Sequence, residues 1–311
     1  MYKNFFPALF LPIFFAIQAA AQSVPLVISR TTYQFPSWEK ASEATDVEKF
    51  YATEAEYRAA VSDTRFRFEK LLYTSDGLLV VAYLYGPKDD NAKNRPVIVF
   101  NRGSYVRGDI APELVAMYNR LADSGFTVVA PLYRGSDGGE GRDDMGGADL
   151  NDLMNVVPLL KNLGFSEKNL FLYGESRGGM MVFQAIRDGF PARAAATFGA
   201  FTDLEEMGSG QQGEAMAKAI WPDFEKKRNE IIKRRSAISW PEKLNIPLLL
   251  MHGSNDESVA PSQTLRLASK LSKGELEFGV IVFPGGDHTI SNQRAERDRR
   301  AVEFFRRFIL N

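Results

Sequence analysis

Cysteine is absent from the 311 residues, and histidine occurs only twice. Without thiols there are no disulfides, no cysteine nucleophile and no zinc–thiolate or iron–sulfur site, and no metal or cofactor is expected. An excess of one charge sign is also missing, since 38 Lys and Arg face 39 Asp and Glu. A formal net charge of −1 gives no global field for gathering nucleic acid or an anionic bilayer, so neither is expected as a partner. The chemistry left to such a chain uses an oxygen nucleophile, carboxylates, lysine or one of the two histidines. With 45% hydrophobic and 25% charged residues, the composition is that of an ordinary globular protein, with one large core or one core plus a small addition expected.

The one long apolar run stands at the start. Lys3 is followed by an almost wholly apolar stretch from Phe5 to Ile17, and Ala19-Ala20-Ala21 meets the small-x-small rule for cleavage. This is read as a signal peptide over 1–21, with Gln22 as the mature start and export to the periplasm or the extracellular space. The run is shorter than the ~20 residues that span a bilayer, so no stable membrane insertion is expected. Loss of Lys3 leaves 37 positive against 39 negative residues, a mature charge of −2.

Residues 38 to 63 mix Glu, Lys and Ala with spaced aromatics and Val, a pattern of one or two amphipathic helices, and 22–65 is read as a leading helical segment. Arg65 to Tyr73 and Leu78 to Tyr85 flank Ser75-Asp76-Gly77, a hairpin signal. From there short apolar runs alternate with helical patterns. The runs are Pro96 to Phe100, Phe126 to Pro131, Leu170 to Tyr173, Ala194 to Phe198, Pro247 to Met251 and Glu277 to Phe283. Such runs suit strands buried on both faces, so the fold class is α/β with a mainly parallel sheet, and ligands belong at the strands' carboxyl ends. Leu150, Leu153, Met154 and Val157 keep helical spacing, with Pro158 kinking or ending that helix, and Val302, Phe305 and Phe308 mark a final amphipathic helix.

Leu170 to Tyr173 runs into Gly174-Glu175-Ser176-Arg177-Gly178-Gly179 and then a helical stretch, which is G-x-S-x-G in a strand-turn-helix setting. A serine there needs a base, and the base needs a group to orient it. His288, in Gly285-Gly286-Asp287-His288-Thr289, lies after the last strand at the same sheet edge, whereas His252 ends a strand and is read as supporting a loop. The orienting acid belongs between serine and histidine in the chain, and Asp256 fits, with Glu257 as its neighbour and Asp203 as the competitor. Oxyanion donors are expected from the backbone N–H of Arg177 and from the loop after Phe100, through Gly103, Ser104 or the Tyr105 hydroxyl.

Taken together, these loops resemble those of an α/β hydrolase of the prolyl oligopeptidase type, the S9 serine peptidases and their esterase-like relatives. The resemblance covers roughly 66 to 309. It rests on the Asp76-Gly77 hairpin leading to Gly86-Pro87, on Tyr133-Arg134-Gly135-Ser136 with Gly146-Gly147-Ala148-Asp149 and Asp152, on the Gly174 to Gly179 elbow, on His252-Gly253 with Asp256, and on Pro284-Gly285-Gly286 with His288. It implies an α/β-hydrolase fold over 66–311, the Ser176, Asp256 and His288 triad, acyl transfer through a serine ester, and a structural role for Tyr133 to Ser136. Larger members carry a β-propeller, for which the residues before Asp76 leave no room, so a propeller-less member is expected. Asn101-Arg102-Gly103 also stands where the family has His-Gly-Gly or Tyr-Gly.

The acidic, glycine-rich run from Asp137 to Asp149 matches neither an EF-hand, a dinucleotide loop nor a P-loop, and is read as a solvated loop. Segment 201–240, with Lys226-Lys227-Arg228 and Lys233-Arg234-Arg235 among apolar residues, is read as a helical cap, and Glu205-Glu206 as coincidence. The expected activity is serine hydrolysis of a small peptide or ester substrate. A carboxylesterase acting on small or carbohydrate esters is the alternative, and a non-catalytic binding protein on the same scaffold is a third reading.

Overall fold

The structure, a computed structural model, describes residues 26–105, 107–205 and 210–311, so the expected leader at 1–21 lies outside the described residues. Its elements begin with β1 (Val27–Thr32), α1 (Trp38–Ala44), a π-type turn (Val47–Tyr51), α2 (Glu54–Ser62), β2 (Phe66–Ser75), β3 (Leu78–Pro87), β4 (Val97–Asn101), α3 (Ala111–Asp123) and β5 (Thr127–Pro131). Next come α4 (Leu150–Met154), α5 (Val156–Asn162), β6 (Leu170–Glu175), α6 (Arg177–Arg187), β7 (Ala194–Phe198), α7 (Gly210–Ile220) and α8 (Phe224–Arg235). The chain closes with β8 (Leu248–Gly253), α9 (Ser262–Leu271), β9 (Phe278–Phe283) and α10 (Arg294–Arg306).

The strands form one nine-stranded sheet in the order β1-β2-β3-β5-β4-β6-β7-β8-β9. Pairings from β1 to β5 are antiparallel, and those from β5 to β9 are parallel. Asp76 and Gly77 close the β2–β3 hairpin with φ of 51° and 80°, the two positive values that a tight two-residue turn needs to match strand twist. The unbroken apolar runs are explained by burial on both faces. Val97, Val99, Leu170 and Leu172 pack against Met180 and Phe183 on one side. Ile98, Phe100, Phe171 and Tyr173 pack against Leu114, Tyr118 and Phe305 on the other.

Two expectations need correction. Segment 22–65 is not simply helical: Val27–Thr32 is a strand paired with β2 at the sheet edge. Five of its six residues are exposed, so its sequence carries no strand-like alternation of apolar residues. Nor does the break near Pro158 fall at the proline. The helix stops at Asn155, and Pro158 is the third residue of α5. Proline has no N–H for the carbonyl one turn earlier, which moves the interruption upstream.

The rest of the leading segment lies on the second core, where Trp38, Ala41, Val47, Ala52, Tyr57 and Ala60 are buried. Thr53 and Glu56 form a capping box at the start of α2, and Glu56 also pairs with Arg294 of α10 at 2.7 Å. Segment 201–240 contributes α7 and α8, which enter the first core through Ile220, Phe224 and Ile232, with Trp221 of the turn between them. Its anchors are Trp221 Nε1, donating to the Asp144 carbonyl at 2.9 Å, and Arg235 Nε, donating to the Met145 carbonyl at 2.8 Å.

Candidate active site

Ser176 stands between β6 and α6 with φ 53° and ψ −120°, a conformation costly for a non-glycine residue that lifts its side chain clear of the sheet edge. Its backbone N–H is held by the Phe198 carbonyl at 2.9 Å. The turn can be this tight because Gly174 has no side chain, since a β-carbon there would lie 2.6 Å from the Gly178 carbonyl oxygen, and Gly178 lets α6 approach β4, where its own β-carbon would lie 1.9 Å from the Asn101 carbonyl oxygen.

His288 bridges two groups. Its Nδ1 lies 2.8 Å from Asp256 Oδ2, and its Nε2 lies 2.8 Å from Ser176 Oγ. A carboxylate only accepts, so Nδ1 carries the proton, and the neutral ring leaves Nε2 to accept the serine O–H. Asp256 Oδ1 accepts the N–H groups of Ser258 and Val259 at 2.9 and 2.8 Å, fixing the carboxylate plane. Burial alone would raise the Asp256 pKa, but hydrogen bonds from His252 and His288 outweigh it and hold the carboxyl well below the usual range. For His288, burial would lower the pKa, and the hydrogen bond and charge of Asp256 more than offset this, so the imidazole is raised above its ordinary value. Asp287 folds the loop around His288 by accepting the N–H groups of Thr289 and Ser291.

The other candidates fall elsewhere. His252 is fully buried. Its Nε2 N–H faces both the Val259 carbonyl at 2.9 Å and Asp256 Oδ2 at 3.0 Å, and its Nδ1 accepts from Thr264 Oγ1 at 2.8 Å, so it braces the Asp256 loop and the carboxylate itself. Asp203 accepts the Glu205 N–H at 3.0 Å and lies 3.6 Å from Arg266, in hydrogen-bond contact with neither histidine among the described residues. Glu257 faces the cavity beside the loop. Glu205 pairs with Arg228 at 2.7 Å, and Glu206 lies outside the described residues.

Arg177 opens α6, so its backbone N–H is one of the amides that a helix start leaves without an internal partner. On the facing loop, the Arg102 guanidinium gathers the carbonyls of Gly103, Ser104 and Tyr105 at 2.9, 3.3 and 2.8 Å. The Tyr105 hydroxyl, one of the expected oxyanion donors, instead donates to the Asp143 carbonyl at 2.9 Å. Asp143 also corrects the reading of 137–149 as solvated: Asp143 and Asp149 are fully buried. Both bind the Arg177 guanidinium, at 2.6 Å each, and the same guanidinium donates to the Ser104 carbonyl at 3.0 Å. Sequence reading missed this network because the acids and their cation are about thirty positions apart. It also missed Tyr51, whose hydroxyl donates to Glu175 Oε1 at 3.0 Å. Burial pushes the Glu175 carboxyl up.

These residues open on a cavity of about 770 Å³ walled by Lys49, Phe50 and Tyr51 from the leading segment, Tyr105, Met145, Phe201, and Met216 of α7. Among the described residues no group of three or more His, Asp or Glu is placed to hold a metal. No described helix is long and apolar enough to cross a membrane.

A mostly parallel sheet flanked by helices, with a serine lifted on a strand-turn-helix elbow, defines an α/β hydrolase. The chain belongs to the prolyl oligopeptidase family of S9 peptidases, whose model matches residues 114–311, and is accordingly a serine hydrolase. It is 30% identical over 216 residues to the uncharacterized peptidase YtmA of Bacillus subtilis (strain 168), covering 67% of this chain and 80% of that one. Among solved structures it is similar to a puromycin-hydrolyzing peptidase of Mycobacterium tuberculosis, with a TM-score of 0.61, 23% identity and coverage of 75% of this chain but 37% of the other. An acylaminoacyl peptidase of Pyrococcus horikoshii gives a TM-score of 0.63 at 21% identity, covering 80% and 42%. At these identities the solved structures speak for the fold alone, and the chain spans less than half of each.

Proposed function

We propose that the chain hydrolyses short peptides through an acyl-enzyme on Ser176, with His288 as general base and acid and Asp256 as its orienting carboxylate. The observation that carries this reading is the imidazole bridge, 2.8 Å to the serine oxygen and 2.8 Å to the carboxylate. In the first half-reaction Ser176 Oγ attacks the scissile carbonyl while its proton passes to His288 Nε2, and the imidazolium then gives that proton to the leaving amine. Water repeats the sequence in reverse and frees the acid product. The oxyanion sits between the Arg177 amide and the amides of Gly103 and Ser104, whose loop Arg102 holds by its carbonyls. Segment 201–240 serves as the cap. Residues 1–21 act as an export leader that directs the enzyme to the periplasm or outside the cell.

A peptide substrate is favoured over an ester by the family and by the peptidase relative of which the chain covers 80%. A fluorophosphonate probe is expected to label the wild type and not Ser176→Ala. Cleavage of short alanyl or prolyl p-nitroanilides is then expected, and turnover of p-nitrophenyl acetate with no amide cleavage would replace the peptidase reading by the esterase one.

A further inference from the structure

We propose that Tyr51 and Glu175 act as a pair of positioning residues: the hydroxyl of Tyr51 fixes a carboxylate charge beside Ser176 that steadies the His288 cation formed during the reaction. The inference rests on the reading of Ser176, His288 and Asp256 given above. Glu175 immediately precedes the nucleophile and is 3% exposed, a place where a carboxylate without a role is costly. Its Oε1 receives the Tyr51 hydroxyl at 3.0 Å, the one hydrogen bond it has among the described residues. The same oxygen lies 3.1 Å from where a Gly103 β-carbon would stand, and Ser176 Cβ lies 3.2 Å from that point, so carboxylate, nucleophile and oxyanion loop meet at one spot.

The charges around it are of both signs. Burial opposes the charged form of Glu175, and His288, Arg297 of α10, the Tyr51 hydroxyl and Arg107 of the loop after β4 favour it, whereas Glu113 and Tyr118 of α3 present groups that are themselves acids. His288 in turn faces Asp256, Glu175 and Asp287. A glutamine would fill the same volume and accept the same tyrosine bond, so the charge distinguishes a positioning role from packing.

The test is the second-order rate of fluorophosphonate labelling of the full chain between about pH 5 and 9, across the range where an imidazole loses its proton. Removing a negative charge near an imidazole lowers its pKa, so Glu175→Gln is expected to shift the low-pH fall in rate downward by about half a unit and to slow the plateau about tenfold. Tyr51→Phe is expected to move both in the same directions by less, and Tyr51→Phe/Glu175→Gln to be no slower than Glu175→Gln. Glu175→Asp keeps the charge and is expected to keep the wild-type pH midpoint even at reduced rate. A Glu175→Gln profile with the wild-type midpoint, or losses that multiply in the double variant, would overturn the pair. An unlabelled wild type would instead overturn the serine reading and this one with it.

Discussion

At the scale of single residues, the proposed mechanism makes Asp256 and Asp203 unequal. Asp256→Asn leaves the shape of the site but supplies the wrong tautomer of His288, and is expected to lower kcat by about 10⁴-fold. Asp203→Asn touches neither histidine and is expected to stay within a few-fold of wild type. Steady-state kinetics on one chromogenic substrate checks both, and equal losses would remove Asp256 from its role. The pH dependence follows from the same contacts. Catalysis needs neutral His288, and Asp256 raises its pKa. The rate is therefore expected to climb with pH through a midpoint above that of an unperturbed imidazole, and Asp256→Asn is expected to bring that midpoint down.

At the scale of elements, α6 is tied to its surroundings by Arg177, which holds two fully buried acids. Arg177→Met preserves bulk but strands Asp143 and Asp149, and is expected to cost about 3–5 kcal/mol, read as a lowered midpoint in urea unfolding. The pairing of α2 with α10 has a pH signature. Burial would raise the Glu56 carboxyl, but Arg294 and the capping contacts to Thr53 outweigh it and bring its pKa to about 2 from 4.5. A depressed acid contributes stability above its unfolded pKa and loses it as pH falls through the folded one, so this contribution is expected to fade between 4.5 and about 2. Glu56→Gln is expected to flatten stability in that window, measured by denaturant midpoints at successive pH. What the sequence made legible at this scale was whatever is local: the elbow's glycines, the Asp76-Gly77 turn, the strands buried on both faces. β1 was not legible because it is an exposed edge strand without apolar alternation. The burial of Asp143 and Asp149 was not either, because acid and glycine look alike in a solvated loop and in one wrapped round a distant guanidinium.

For the whole molecule, residues 33–60 are part of the second core and not an appendage to it, with Trp38 and Tyr57 buried among the residues that α3 and α10 also cover. Their removal is expected to expose that apolar face and to yield aggregated, unlabelled protein, checked by size-exclusion chromatography and probe labelling. An intact, labelled truncation would show that the leading segment is dispensable. The same layout has a consequence for biosynthesis. Tyr51, Ser176 and His288 line one cavity, with Asp256 behind His288, although these residues span most of the described chain. On the proposed roles, an unfinished chain that has not reached residue 288 holds its serine without the base assigned to it. Under the proposed mechanism hydrolytic power waits for residue 288, and a chain that stops short of it is expected to be inert toward the fluorophosphonate probe even where its sheet has formed.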